Sequence, residues 1–293
     1  MYQLTDTQIN SFHQKGWLGP LNIFSAKDVE PIRIEMEKNS EIELVGQQKI
    51  RNFHNSYLDD LKTPRHHHLW NRSLCNLFKD EKIVHPLNQL GEENLLLWRT
   101  RMLHRMPGQG GIGWHQSIEY YGYDVDESNT DLVFPKDEKI LNLTVWIALA
   151  DITPKMGIIQ FANGSHQNKF KPIKVPPGKG VYQEEKYFID EDKQYSKSYA
   201  FDENEWNIES IPVVKAGQVI IFTEQVMHQA PANHSSTERW AINGRYISPR
   251  VTVYPQRLTD ARLDDSGFDL AKHFCILVSG KDDYGINKIG SID

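Results

Sequence analysis

Cysteine is almost missing from this chain: Cys75 and Cys275 are the only two in 293 residues. They stand far apart and in no metal-like spacing, which excludes a disulfide scaffold and a zinc framework. They read as reduced, buried thiols of a cytoplasmic protein, with one long-range disulfide as the alternative. Long apolar runs are missing too. No stretch approaches the roughly 20 residues that cross a bilayer, and the N-terminal MYQLTDTQINSFHQKGW has no signal-peptide core. The expectation is a soluble, intracellular protein. Nor is there an excess of positive charge. The 33 Lys and Arg against 39 Asp and Glu leave −6 at pH 7, which argues against a general nucleic-acid binder. No internal repeat and no low-complexity segment occurs.

What is present is ordinary globular material, 39% hydrophobic and 25% charged, long enough to bury a sizeable core. LTDTQINSFHQKG predicts a helix opened by a Thr5–Gln8 capping box and stopped at Gly16. SAKDVEPIRIEMEKN predicts a second helix capped by Ser25. Residues 40–70 are ambiguous and end in RHHHLW. Neighbours in sequence cannot all face one ion, so these histidines read as a solvated loop. A helical stretch follows over about 71–90.

After residue 94 the period changes. NLLLWRTRMLHRM, ILNLTVWIALADI, GIIQFA, GQVIIFTEQ and RWAINGRYI are apolar or alternating runs bounded by Gly, Pro and Asn. Helices first and strands later, without βαβ alternation, predict an antiparallel sheet fold with helices packed outside. The segment 167–212 is long, charged and Pro/Gly-containing, as a functional lid or a disordered linker would be, and reads as a lid whose Phe, Tyr and Trp residues give it something to pack.

Within GIGWHQSIEYYG, residues 111–122, strand alternation sends His115 and Ser117 to one face. A histidine with a carboxylate two residues on is how a strand offers two legs of a non-haem iron site. Here the second leg is a serine. A lone strand histidine is more often structural than ligating. The second piece is GQVIIFTEQVMHQAPANHSSTERWAINGRYI, in which His228 follows one strand and Arg239 and Arg245 come with the next. That spacing can place an imidazole for a metal and a guanidinium for a ligand carboxylate around one pocket. The plain alternative makes His228 a turn residue and the arginines surface charges.

Together the pieces resemble the phytanoyl-CoA dioxygenase superfamily of iron(II)- and 2-oxoglutarate-dependent oxygenases. The resemblance spans LTDTQINSFHQKGWLGPLNIFSAKDVEPIR, WHQ at 114–116, LTVWIALADITPKMGIIQFANGSH at 143–166 and GQVIIFTEQVMHQAPANHSSTERWAINGRY. It implies a double-stranded β-helix (a cupin-like jelly roll) as one domain over 1–293: mainly helical over 1–93, then a jelly-roll core over 94–293 with the lid inserted at about 167–212. It implies that His115 and His228 bind iron(II), that Arg239 holds the distal carboxylate of 2-oxoglutarate, and that Thr144 and Trp146 line that cosubstrate's pocket. His166, in the Gly–Ser–His turn, is expected to stabilise the turn.

Ordinary members carry Asp or Glu where this chain has Ser117. A serine hydroxyl is neutral and short, a poor replacement. Glu119 shares its face but stands about 6.6 Å farther along at ~3.3 Å per residue, too far without a bulge. An open position on a cation can instead take a small anion. Chloride would restore the charge, and the chain is similar here to the chlorinating branch of the superfamily, the aliphatic halogenases of nonribosomal-peptide and polyketide pathways such as the syringomycin and curacin halogenases. Arg245 matches a second arginine near the halide in that branch, and FCILVSGKDDYGINKI resembles its closing segment. Those enzymes have Ala or Gly at the position of Ser117, so the serine is a departure that leaves a hydroxylating enzyme open. A non-catalytic relative that kept the fold, or a serine introduced by mutation, would also account for it.

The branch implies chloride and dioxygen alongside iron(II) and 2-oxoglutarate. It also implies a substrate tethered by phosphopantetheine to an acyl or peptidyl carrier protein of acidic surface. Lys169, Lys171, Lys174 and Lys179 are candidates for docking it, with a solvated loop as the plain reading.

Overall fold

The computed structural model describes residues 2–58, 60–116, 130–136, 139–176, 179–181, 196–255, 263–264 and 267–292. The Thr5 box forms: the Thr5 amide donates to Gln8 Oε1 (2.9 Å) and the Gln8 amide to Thr5 Oγ1 (3.3 Å). It opens helix α1, Asp6–Lys15, which stops where Gly16 turns left-handed at φ 85°. Ser25 heads helix α2, Ala26–Lys38, with its amide donating to the Asp28 carboxylate at 2.8 Å. The stretch expected over 71–90 is two helices, α3 at Arg72–Lys79 and α4 at Glu81–Gln89, divided at the extended Asp80.

Two antiparallel sheets carry the core. The larger runs Trp17–Asn22, Gln218–Thr223, Leu143–Ala148, Ala241–Ile247, Leu95–Met102 and Ile276–Ser279 in spatial order. The smaller runs Ile208–Glu209, Gln160–Ala162, His228–Ala230 and Ile112–His115. Phe161 of the small sheet stacks on Trp17 and touches Phe222 of the large one. The sheets therefore pack face to face in a jelly roll. The helices cover the outer face of the large sheet, where Gly244 is required because a Cβ would stand 2.6 Å from Phe78 of α3. Both cysteines are free and buried. No helix among the described residues is long and apolar enough to cross a membrane.

Residues 1–93 carry the four helices and also supply strands: Trp17–Asn22 is an edge strand of the large sheet, and Ser40–Val45 pairs with Gln48–Asn55. One expectation needs correction. The histidines of RHHHLW are not a solvated loop; His66, His67 and His68 are buried. Successive side chains of the turn diverge, so each imidazole finds its own partner. His67 Nε2 lies 2.8 Å from the Thr63 carbonyl, and His68 Nδ1 lies 2.9 Å from Thr100 Oγ1. His66 packs against Phe268, Tyr254 and His273.

The segment 167–212 is built rather than irregular where it is described. Pro172–Val175 pairs with Ser196–Tyr199, and Ile208–Glu209 joins the small sheet. Phe170, Phe201 and Trp206 pack on one another, and Phe201 reaches Trp114. Tyr199 donates its hydroxyl to the Gln116 carbonyl at 2.9 Å, which fastens this insertion to the strand end that carries His115.

Candidate active site

His115 ends one strand of the small sheet and His228 begins its neighbour, and the antiparallel register sets them opposite each other. Their ring centroids are 4.1 Å apart. Both rings are fixed in the same way: His115 Nδ1 is 2.8 Å from the Gly113 carbonyl, and His228 Nδ1 is 2.8 Å from the Val226 carbonyl. A carbonyl only accepts, so the tautomer with hydrogen on Nδ1 follows and the ring lone pair is on Nε2. Burial, with a smaller push from Arg245, lowers the His228 pKa to about 4. At neutral pH this imidazole is uncharged, the form a metal requires. Among the described residues no third His, Cys, Asp or Glu completes a metal-binding set. Ser117 and Glu119 lie outside the described residues.

The large sheet presents one face to these histidines. Phe222, whose ring is 5.0 Å from that of His228, pairs with Thr144; Thr144 pairs with Arg245, and Arg245 with Arg99. Ile220, Trp146, Asn243 and Arg101 form the next row of pairs. Directly paired residues share a face, so Thr144, Trp146 and Arg245 stand on the histidine side. Trp146 joins Phe161 and Phe222 in a buried apolar cluster. The Thr144 hydroxyl donates to Glu224 Oε1, and Arg245 Nε lies 3.3 Å from the same oxygen.

Arg239 is buried as well. Its Nη1 donates to the Gly157 carbonyl at 2.5 Å and its Nη2 to that of Leu103 at 3.3 Å, while Nε has no hydrogen-bond partner among the described residues. Leu103 itself packs on the Trp146 cluster. No carboxylate among the described residues neutralises this guanidinium. Burial, and then the charge of Arg105, disfavour its protonated form, an unfavourable state that a bound anion relieves. Two adjacent imidazoles, and a buried guanidinium held by the carbonyls of Gly157 and Leu103, fit a metal and a dicarboxylate such as 2-oxoglutarate.

Sequence reasoning missed Glu224. It is wholly buried, and it touches both Thr144 and Arg245. The signal was available: in QVIIFTE the alternation that turns Ile220 and Phe222 to the site also turns residue 224. His166 stays apart from the site, with Nε2 3.1 Å from the His13 carbonyl at the end of α1. It braces its turn against that helix.

The architecture defines a class first. The mainly antiparallel jelly roll is the cupin-like fold of iron/2-oxoglutarate oxygenases. It superposes on CytC3 with Fe(II) and alpha-ketoglutarate at a TM-score of 0.67, with 22% identity over 99% of this chain and 93% of that one. It superposes on EctD from S. alaskensis with bound Fe at 0.57, with 16% identity over 85% of this chain and 79% of that one. Residues 12–241 match the family model described as Phytanoyl-CoA dioxygenase (PhyH), and the chain belongs to that family. Its function is of the iron(II)/2-oxoglutarate-dependent oxygenase type. A curated relative from Stutzerimonas stutzeri, a probable alpha-ketoglutarate-dependent hypophosphite dioxygenase, is 24% identical over 279 residues, covering 85% of this chain and 88% of that protein.

Proposed function

We propose that this chain is an iron(II)/2-oxoglutarate-dependent halogenase that chlorinates an unactivated aliphatic carbon of an acyl or aminoacyl group held on a carrier protein. One observation carries the reading: the residue two after His115 is Ser117, not the carboxylate that normally completes a facial set. In this reading His115 and His228 hold the metal through Nε2, and Arg239 holds the distal carboxylate of 2-oxoglutarate. Thr144 and Trp146 line the cosubstrate's pocket. Bound iron with 2-oxoglutarate and dioxygen supplies the oxidising power that breaks a C–H bond. Overall, one C–H group, chloride, a proton, dioxygen and 2-oxoglutarate become C–Cl, succinate, carbon dioxide and water. Dioxygen takes two electrons from decarboxylation and two from the exchange of hydrogen for chlorine. Arg245 and the small Ser117 side chain favour an anion near the metal. The exposed Lys169, Lys171, Lys174 and Lys179 suit an acidic carrier surface.

A second reading, hydroxylation or another oxidation at the same two-histidine site, is favoured by Glu224. Its carboxylate lies against Arg245, where it competes with a halide for the same positive charge. Mass spectrometry decides between the two. The protein is supplied with iron(II), 2-oxoglutarate, chloride and a panel of loaded carrier proteins; a gain of chlorine supports the first reading, and a gain of oxygen in chloride the second.

A further inference from the structure

Glu224 follows the Gln218–Thr223 strand, and its contacts with Thr144 and Arg245 place its carboxylate on the large sheet's site-facing side. Both contacts fall on Oε1. The other oxygen, Oε2, is buried and has no hydrogen-bond partner among the described residues. Asn243, paired with Trp146 on the same face and 5% exposed, likewise has a buried side-chain oxygen with no such partner. Native folds rarely leave buried acceptors bare, because each one forfeits its hydration without replacement. Here two such acceptors share one patch of the site face, two strands apart.

We propose that Glu224, seconded by Asn243, is the substrate-binding element of this site and that the substrate presents an uncharged O–H or N–H donor to Glu224 Oε2. The requirement for an uncharged group follows from the neighbouring cations. Arg245 already sits against Glu224, and Arg245's cross-strand partner Arg99 is itself paired with Asp131, so an ammonium would add a buried positive charge with no counter-ion of its own, beside Arg245. A hydroxyl or an amide N–H gains the bond without that repulsion. The side-chain carboxamide of Asn243 can accept from or donate to the same group, which suits an amide or a hydroxyl bearing both functions. Glu224 forms no metal-binding set with His115 and His228 among the described residues. Its role is to read the substrate. This inference rests on the two histidines being the iron site.

The test uses the full chain loaded anaerobically with iron(II) and 2-oxoglutarate, whose absorption band reports the intact site. Saturation-transfer NMR then titrates N-methylacetamide and N,N-dimethylacetamide, which differ in one N–H donor. The expected result is at least fivefold tighter binding of N-methylacetamide to the wild type. In Glu224→Gln the preference falls to near unity while the absorption band persists. In Asn243→Ala, a second variant independent of the carboxylate, the same probe binds more weakly. Equal binding of the two probes, binding of neither, or an unchanged preference in Glu224→Gln overturns the assignment, the last because water alone then satisfies Oε2. A wild-type protein that forms no iron–2-oxoglutarate band overturns the iron-site reading itself, and this inference with it.

Discussion

His115 and His228 face each other across one antiparallel ladder, ring centroids 4.1 Å apart, each with Nδ1 held by the carbonyl two residues earlier. The repetition matters. Two rings orientated by the same local device keep their Nε2 atoms as the electron-pair donors, and the ladder fixes the spacing between them. If these two imidazoles hold the metal, with no third His, Cys, Asp or Glu completing a set among the described residues, neither is dispensable. His115→Ala or His228→Ala should abolish tight iron(II) binding in anaerobic isothermal titration, while the backbone pairing keeps the fold. Wild-type affinity in either variant would show that the metal sits elsewhere.

Arg239 should affect the cosubstrate and leave the metal alone. Its guanidinium is buried, and no described carboxylate opposes it. Removing one partner of a buried charged pair typically costs on the order of 2–5 kcal/mol. Arg239→Ala should therefore raise the 2-oxoglutarate dissociation constant by roughly 30-fold or more. Titration of the iron(II) protein with 2-oxoglutarate measures it. Normal binding in Arg239→Ala with loss in Arg245→Ala would exchange the two roles.

Much of this candidate site was legible through the resemblance. A strand ending in His115, a second histidine after an apolar strand, and Arg239 eleven residues on left a plain alternative open by spacing alone, and it was their combination that carried the family pattern; strand ends, marked by breaks in alternation, are where it lies. The buried histidine cluster was not legible. A run of three histidines has the composition of a solvated loop, and only the tertiary partners Thr63, Thr100 and Tyr254 reveal otherwise. Glu224 was missed for the opposite reason. A charge at the end of an apolar strand reads as the strand's exit into solvent, whereas here it meets Arg245 inside the jelly roll.

The same buried histidines set the acid response of the fold. Burial lowers the pKa of His66 and His68 well below the ordinary value and that of His67 to about 4. Unfolded, each titrates near 6.5. Between those limits the unfolded chain binds more protons than the native one, so stability rises with pH. It should be complete above about pH 6.5 and decline as the pH falls toward 4, by about 1.4 kcal/mol per histidine for each pH unit. Glu238 acts at lower pH. Hydrogen bonds from His104 and Arg51 hold its carboxyl at about 2, so its contribution is present above the ordinary carboxylate range and is lost as the pH falls through about 2. Urea denaturation at a series of pH values measures the slope. His67→Gln should lessen it between pH 6.5 and 4 by about 1.4 kcal/mol per pH unit, and an unchanged slope would mean that His67 is already protonated in the native state.

The final prediction concerns Ser117. If a small residue stands there so that an anion can reach the metal, the iron(II)–2-oxoglutarate complex should bind chloride. Added chloride should shift its absorption band, and bromide-soaked crystals should show anomalous density beside Ser117. Ser117→Asp should lose the chloride response, because a carboxylate takes the same position and repels the halide. Iron affinity in that variant should rise, since the metal gains a charged third ligand. Gain of hydroxylation does not have to follow, because the placement of the substrate's C–H bond also decides the product. Glu224→Gln separates the remaining influence on halide: with the carboxylate neutralised, Arg245 is a stronger anion partner, and chloride should bind more tightly than in the wild type. A wild-type protein whose band ignores halide, and which oxidises substrate equally well in chloride-free buffer, would instead mark Ser117 as the residue that holds water in a hydroxylating site.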